Sequence, residues 1–533
     1  MNLMLSSTPV RSALVVATLA ALPVLAQAQF KSGGDFLVGG STRLTGSVDA
    51  GGTLRVEGPA TLTLTDASRA GRAEIAGTVG FSPGKFTTLT VAGDLVGQDG
   101  LIRFNTALGD DGSRTDRLII GGASSGSMRV AVANANGVGA QTDNGIQLIQ
   151  VNGASGGNFA LQDRAVAGAY EYKLYKGGKN NPNDGSWYLR SEATSGSGTP
   201  TPVTPTPGKG VTPAPMPMPV YRPEGGAYLA NQAASIGMFQ HQMHDRMGEP
   251  DFARGGDKAP AIWTRVQRRQ LDSNAGYQQL AIGSDTSLLQ VGGELAARNL
   301  GGGRLHVGAM AGAGRTDSNV GSRQSGYRAK GKVRGYSAGL YATWFGNAAE
   351  QTGLYVDSWL QYGWADNKVN GQYLAQESYK SKSWSASLEG GYSFRLAQTE
   401  RFGLFLEPQA QVIYTDYDAR QFAEANGSIV DPSLAGTLVT RAGVRLFGNS
   451  GDSANNRVQP FLTLNWWRSD KQNRVRMDGD ALTLNLPRDR YEAKLGAQLQ
   501  LGGGWTGWGN AAYQTGSKGF RDIGGQVGAN YRW

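Results

Sequence analysis

Across the second half of the chain, apolar and polar residues alternate one by one, and much of the polar set is charged. Tyr491, Ala493, Leu495, Ala497, Leu499 and Leu501 alternate with Glu492, Lys494, Gly496, Gln498 and Gln500. Trp384, Ala386, Leu388 and Tyr392 alternate with Ser383, Ser385, Ser387 and Glu389, and Leu438, Ala442, Val444 and Leu446 with Arg441, Gly443 and Arg445. The chain closes on Val527, Ala529, Tyr531 and Trp533, set against Gln526, Gly528, Asn530 and Arg532. Side chains of a strand point alternately to opposite faces, so every such run carries one apolar and one polar face. Charges turned into a packed core would be costly. Turned into the wet lumen of a transmembrane barrel, with the apolar face on lipid, they are expected. Beyond residue 30 nothing approaches the ~20 consecutive apolar residues of a membrane helix, so a membrane protein of this hydropathy can only be a barrel. Runs near 262–270, 286–296, 304–315, 332–346, 352–366, 380–396, 402–416, 435–447, 457–468, 488–501, 505–515 and 523–533 predict about twelve strands, an even number that can close. Trp344, Phe345, Trp364, Trp466, Trp467, Trp505 and Trp508 cluster near run ends, where interfacial girdles would sit.

The amino-terminal half reads differently. Arg11 precedes the apolar run SALVVATLAALPVLA and then Ala26-Gln27-Ala28, the three parts of a secretory signal peptide with cleavage after Ala28 (residues 1–28). From 29 to 194, short runs such as STRLTGSV, GTLRVEG, ATLTLTD and FTTLTVAGDLV are separated by Gly, Asn, Asp and Ser. They predict strands broken by turns, in a sandwich or, as favoured here, a right-handed β-helix. Residues 195–222, rich in Pro, Thr and Gly, form a linker whose proline density forbids helix and sheet. In 223–250, Tyr228, Leu229, Ile236, Phe239, Met243 and Met247 recur at helical spacing up to Pro250. About twenty helical residues span ~30 Å, a membrane's thickness. The polar content, Asn231, Gln240, His244 and Arg246 included, suits a lumen rather than lipid. The barrel occupies 257–533.

No catalytic, cofactor or metal site emerges. With Cys 0, disulfides, thiol catalysis and cysteine metal sites are excluded, and no disulfide can lock the chain before export. The three histidines are His241, His244 and His306, so residues 29–194 cannot assemble a Ser-His-Asp triad. Asp110 with Asp111, and Asp94 with Asp99, lie in Gly-rich turns and read as turn residues. His241 and His244 stand at i, i+3, but with no third ligand nearby they read as polar lumen residues. Gly451-Asp452-Ser453 echoes an esterase motif that wants a downstream histidine, and none follows His306. Gly301 to Gly303 lacks the strand-to-helix setting of a phosphate loop. The net charge of +9 is dispersed, which speaks against nucleic-acid binding.

The stretch Leu89 to Asn134, continuing through GIQLIQVNG, FALQ and AGAYEYKLYK to about residue 176, resembles the autochaperone end of pertactin-like autotransporter passengers. YLANQAASIGMFQHQMHDRMGEP, the AIWTRV start and the aromatic ending resemble the autotransporter translocator. The resemblance implies a type V secretion protein with a short β-helical passenger and a monomeric twelve-stranded outer-membrane barrel threaded by the helix. It implies transit through the inner-membrane secretion channel with periplasmic chaperones. It also implies delivery to the barrel-assembly machinery, which would read Val527, Ala529, Tyr531 and Trp533. Only some sixty residues precede the matching passenger segment, so a long adhesive or enzymatic module is not expected. Relatives that cleave themselves split an Asn-Asn bond in the helix, whereas here Asn231 is followed by Gln232. Three readings of the exposed part remain open: an adhesin or virulence factor meeting a host-cell ligand, a released or degenerate enzyme, or a barrel acting as a channel.

Overall fold

The computed structural model describes residues 15–16, 28–192, 218–248, 261–347, 352–399, 402–450 and 458–532. Ala26, most of the linker, Pro250, Gly451-Asp452-Ser453 and Trp533 lie outside the described residues. The chain divides into two compact units, residues 1–222 with 423–428, and residues 223–422 with 429–533.

The first unit is a parallel coil. One ladder runs from Arg43 to Thr61 to Thr78 to Leu101. A second passes from Asp49 through Arg69 to Thr90 and Ile119. A third passes from Leu54 through Ala73 and Leu95 to Ser124. Like residues stack from coil to coil, and Leu44, Leu62, Val79 and Ile102, with Leu54, Ala73 and Leu95, are almost fully buried. Burial of each such aliphatic side chain contributes roughly 1.5–3 kcal/mol, which a thin solenoid needs because each coil touches only its neighbours. Past this, Ile146–Val151 pairs antiparallel with Trp187–Arg190, which pairs with Tyr170–Lys176. The change of direction ends the stack and covers its open edge. Ala28 opens the strand Ala28–Ser32 of the coil, beside Gly46. Pro219 and Tyr221, placed in the linker by composition, bridge to Glu192 and Tyr170, so the end of that segment is held in this unit by backbone pairing.

The second unit is a closed twelve-stranded antiparallel barrel around two helices. The strands are β1 Ala261–Ala275, β2 Leu280–Leu300, β3 Gly303–Ser322, β4 Arg328–Phe345, β5 Gly353–Gly371 and β6 Gln376–Gln398. They continue as β7 Phe402–Ala419, β8 Leu434–Ser450, β9 Val458–Ser469, β10 Asp489–Gly502, β11 Trp505–Gly516 and β12 Arg521–Arg532. β12 closes on β1, Val527 opposite Val266 and Tyr531 opposite Ile262. All twelve expected runs are strands, most of them longer than expected. The apolar phase faces outward, with Leu495 66% and Val527 63% exposed. The polar phase faces the lumen, where Lys494, Gln498, Arg441 and Glu389 are buried.

Two expectations need correction. Trp344, Trp364, Trp466 and Trp505 do point outward, but Phe345 and Trp508 are buried in the lumen and Trp467 packs there too. Trp508 joins Trp263, Met310, Tyr341, Trp359 and Ile413 in one cluster. Four of the lumen rings find room because a cross-strand partner is glycine: Trp263 faces Gly292, Tyr341 Gly308, Tyr355 Gly391 and Trp508 Gly528. A Cβ at Gly308 would stand 2.2 Å from Tyr341 Cζ, and one at Gly528 2.3 Å from Trp508 Cζ2.

Nor is the helix continuous. α1 spans Pro223–Gly237 and α2 Met243–Met247, with an irregular stretch between them. The wall takes up the carbonyls released by the break: Gln361 Nε2 donates to Phe239 O at 3.3 Å, and Gln411 Nε2 and Trp359 Nε1 to His241 O at 3.0 and 3.3 Å. α2 restarts on a capping box between Gln242 and Asp245.

Candidate functional site: the filled lumen

The barrel's two ends differ. The connections after β2 and β10, Leu300 to Gly303 and Gly502 to Trp505, are tight, and β12 ends on that side. The opposite end carries longer hairpins, including the β9–β10 excursion whose strands Arg474–Met477 and Asp480–Thr483 pair with each other. Short turns belong to the periplasmic side and long loops to the outside. α1 begins at the long-loop end, where Gly226 lies under Val320 and Leu280 and Gly371 meets Glu224. α2 finishes at the other, where Asn530 Nδ2 donates to Met247 O at 3.1 Å. The chain thus enters from outside and runs inward before becoming β1.

α1 is held by shape and amide contacts. Tyr228 packs on Tyr379 and Phe422, and Met238 on Leu288, Val333 and Ala365. Asn231, fully buried, donates to Lys368 O at 3.0 Å. Gln232 donates to Pro432 O and Arg474 O at 2.7 and 2.8 Å and accepts from Arg474 N at 3.0 Å, which fixes its amide. Gln240 Nε2 reaches Thr415 Oγ1 at 3.4 Å.

α2 is held by charge. Arg246 Nη2 donates to Asp357 Oδ1 at 2.6 Å and to Thr343 Oγ1 at 3.0 Å, and its guanidinium lies 4.0 Å from the Tyr341 ring centroid. His244 Nε2 lies 2.7 Å from Glu407 Oε1, which also accepts from Gln409 Nε2 at 2.7 Å. Lys494 Nζ donates to Asp245 Oδ1 at 2.8 Å, and Glu389 accepts from Met243 N at 3.0 Å and pairs with Arg441 at 3.0 Å. Four consecutive residues, Met243 to Arg246, therefore bind four parts of the wall. Buried charges persist only when paired and hydrogen-bonded, and a short helix so anchored has a single seat. His241 does not join His244: it stacks on Trp359 at 5.0 Å, and its Nδ1 lies 2.9 Å from Phe239 O.

The expected lumen residues Asn231, Gln240, His244 and Arg246 all face the lumen, the first two through their amides, His244 against Glu407 and Arg246 against Asp357. Among the expected assembly residues, Val527 and Tyr531 lie on the outer wall of β12, Tyr531 against Trp505 at 4.7 Å, and Ala529 is half-buried on the same face. The partners Asp357, Glu407 and Lys494 were visible beforehand only as members of a polar phase. No group of three or more His, Cys, Asp or Glu suited to a metal occurs among the described residues.

A transmembrane barrel with polar walls, filled by the segment that leads into its own first strand, defines an outer-membrane protein that carries an attached exported part. Residues 262–512 match the autotransporter beta-domain model, and residues 70–174 the Autochaperone Domain Type 1 model. The uncharacterized protein YdeU of Escherichia coli K12 is 37% identical over 85% of this chain and 99% of its own length. The autotransporter adhesin AIDA-I of Escherichia coli is 28% identical over 83% of this chain and 34% of its own, and the pertactin autotransporter of Bordetella bronchiseptica 30% identical over 91% and 53%. The chain thus spans about a third to a half of these two larger relatives. The crystal structure of the AIDA-I transport unit superposes with a TM-score of 0.54 at 24% identity, over 59% of this chain and 100% of that one. The chain belongs to the autotransporter family and resides in the bacterial outer membrane.

Proposed function

We propose that this autotransporter inserts its barrel in the outer membrane and exports and displays residues 29–194 on the cell surface, after removal of residues 1–28 at Ala26-Gln27-Ala28. The observation that carries the reading is the direction of α1: it begins at the barrel's long-loop end, and α2 finishes at the end where β1 starts. Stepwise folding of the coil outside, its aliphatic stacks burying as each turn is added, supplies a driving force where no nucleotide is at hand. Outer-membrane lipid is the partner of the apolar wall. The barrel-assembly machinery reads Val527, Ala529, Tyr531 and Trp533, and the inner-membrane secretion channel and periplasmic chaperones act before it.

For the displayed part we favour adhesion over enzymatic activity. Two of its relatives are named as adhesins, AIDA-I and BmaC of Brucella suis. Residues 29–194 contain no histidine or cysteine. A host-cell surface ligand is the partner such an adhesin requires. Protease added to whole cells should remove residues upstream of 195 and leave the barrel intact, with blots of cells and medium showing whether the coil stays attached. A coil that resists protease until the membrane is broken would refute display.

A further inference from the structure

The outer wall carries a localised cluster of positive charge at its external end. On β4, Lys330, Lys332 and Arg334 share the outward phase; on β5, Lys368 with Asp366; on β6, Lys380 and Lys382. All are exposed, Lys380 with 90% of its side chain free. Within these three strands Asp366 is the sole outward carboxylate of the cluster. Asp317 flanks it on β3, near Arg315 and Lys332, and Asp418 on β7, 3.4 Å from Lys382. Lys330, Arg334 and Lys368 have no ion-pair partner among the described residues. Elsewhere on the outer wall, Arg521 is matched with Asp272 at 2.5 Å and Arg468 with Asp489 at 3.3 Å.

The cluster contains two repulsive registers. Arg334 lies directly opposite Arg315, and Lys332 directly opposite Lys368. Like charges facing each other across strands roughly 5 Å apart destabilise a sheet. Such pairs are compatible with a stable wall when an anion bridges them. Immediately membrane-ward, Tyr336 stacks on Trp364 at 5.9 Å, and Tyr362 meets Trp364 at 6.0 Å and Trp384 at 4.8 Å. Outward aromatics at a strand's apolar–polar boundary mark the membrane interface. The cations begin one outward position beyond that belt, since Arg334 stands two residues before Tyr336 and Lys382 two before Trp384 on strands that start at the external end. With ~3.3 Å of rise per residue, Arg334 to Lys330 spans about 13 Å along the strand, or roughly 10 Å of depth at a tilt of about 40°. Lys330, Lys332, Arg334, Lys368 and Lys380 line one groove of about 540 Å³ on this wall.

We propose that this groove binds the phosphorylated headgroup of an outer-leaflet glycolipid. A phosphate monoester carries about −1.5 to −2 charge and three acceptor oxygens at neutral pH, enough to bridge cations on adjacent strands. Clusters of four to eight basic residues beside a membrane interface select anionic headgroups in this way. The acyl chains would lie along Leu340, Leu360 and Leu388, all outward and exposed below the aromatic belt.

The test uses the full-length protein extracted from outer membranes in mild detergent, with bound glycolipid counted by native mass spectrometry. K330Q/R334Q/K368Q removes the three unpaired cations. R268Q/R468Q/R521Q removes three outward cations scattered elsewhere, and heat-modifiable mobility checks that both variants fold. We expect bound glycolipid to fall about tenfold or more in the first variant and to stay unchanged in the second. Glycolipid with its phosphates enzymatically removed should bind the wild type as weakly as intact glycolipid binds the first variant. Equal loss in both variants, full retention in the first, or undiminished binding of the dephosphorylated lipid would overturn the proposal. So would equal displacement by phosphatidylglycerol vesicles. If the triple variant does not fold, K330Q and K368Q alone should each lower retention, and unchanged retention in both would count against the site.

Discussion

Arg246 shows how much one side chain can carry inside this barrel. It is fully buried, with Asp357 and Thr343 on its fork and Tyr341 beneath its plane. Arg246→Ala leaves Asp357 charged, buried and unpaired, a loss of about 3–5 kcal/mol, and should lower the heat-modification temperature measured by gel mobility. Arg246→Met with Asp357→Leu removes both charges and should recover most of that loss. If the single and double variants melt together, the pair does not anchor α2. The glycines opposite rings make a second residue-level prediction. Gly308→Leu drives a side chain into Tyr341, at an overpacking cost of about 1–3 kcal/mol, and should reduce the yield of folded barrel. Tyr341→Ala in the same chain should relieve it, as read from the folded fraction on unheated gels. Neither feature was legible as a contact in the sequence. Trp508 does share the parity of Asn510 and Gln514, however, and Trp263 that of Arg265. Parity alone would have placed both rings indoors, where proximity to the run's end suggested a girdle.

At the scale of elements, strands were legible because alternation is a local property. Their ends were not. β1 runs to Ala275 and β2 starts at Leu280, beyond the expected 262–270 and 286–296. Outside the bilayer the outer face may be as polar as the inner without penalty, so Arg268, Gln270 and Asp272 carry no alternating signal. The 223–250 helix shows the reverse difficulty. Its amphipathic spacing continues through Phe239, but the backbone leaves the helix there because Gln361, Gln411 and Trp359 supply donors from far along the chain. Tertiary hydrogen bonds of about 0.5–1.5 kcal/mol each offset the lost helical ones, and no local pattern foretells them.

For the whole molecule, α1 and α2 set whether the barrel conducts. In planar bilayers the intact chain should give small currents, and a chain lacking residues 223–248 should give large, stable ones. Large currents from the intact chain would favour the channel reading. Fold class was legible at this scale because no other architecture satisfies both the charges and the absence of a membrane helix. The wall's uneven charge was not, since it depends on which strands become neighbours.

The seam of the barrel has a consequence for the timing of synthesis. Ala261 pairs with Arg532, so the first strand of the barrel has one of its two permanent partners about 270 residues further along the chain. Until they pair, both terminal strands present unpaired edges, which invite association with other chains. Pairing across so long a stretch of sequence is intrinsically slow. The barrel therefore has no completed substructure to fall back on while the ribosome is still at work, and the whole segment must be kept from committing itself early. The lack of any cysteine removes one way it could do so. Closure waits on the twelfth strand, however early the first is made.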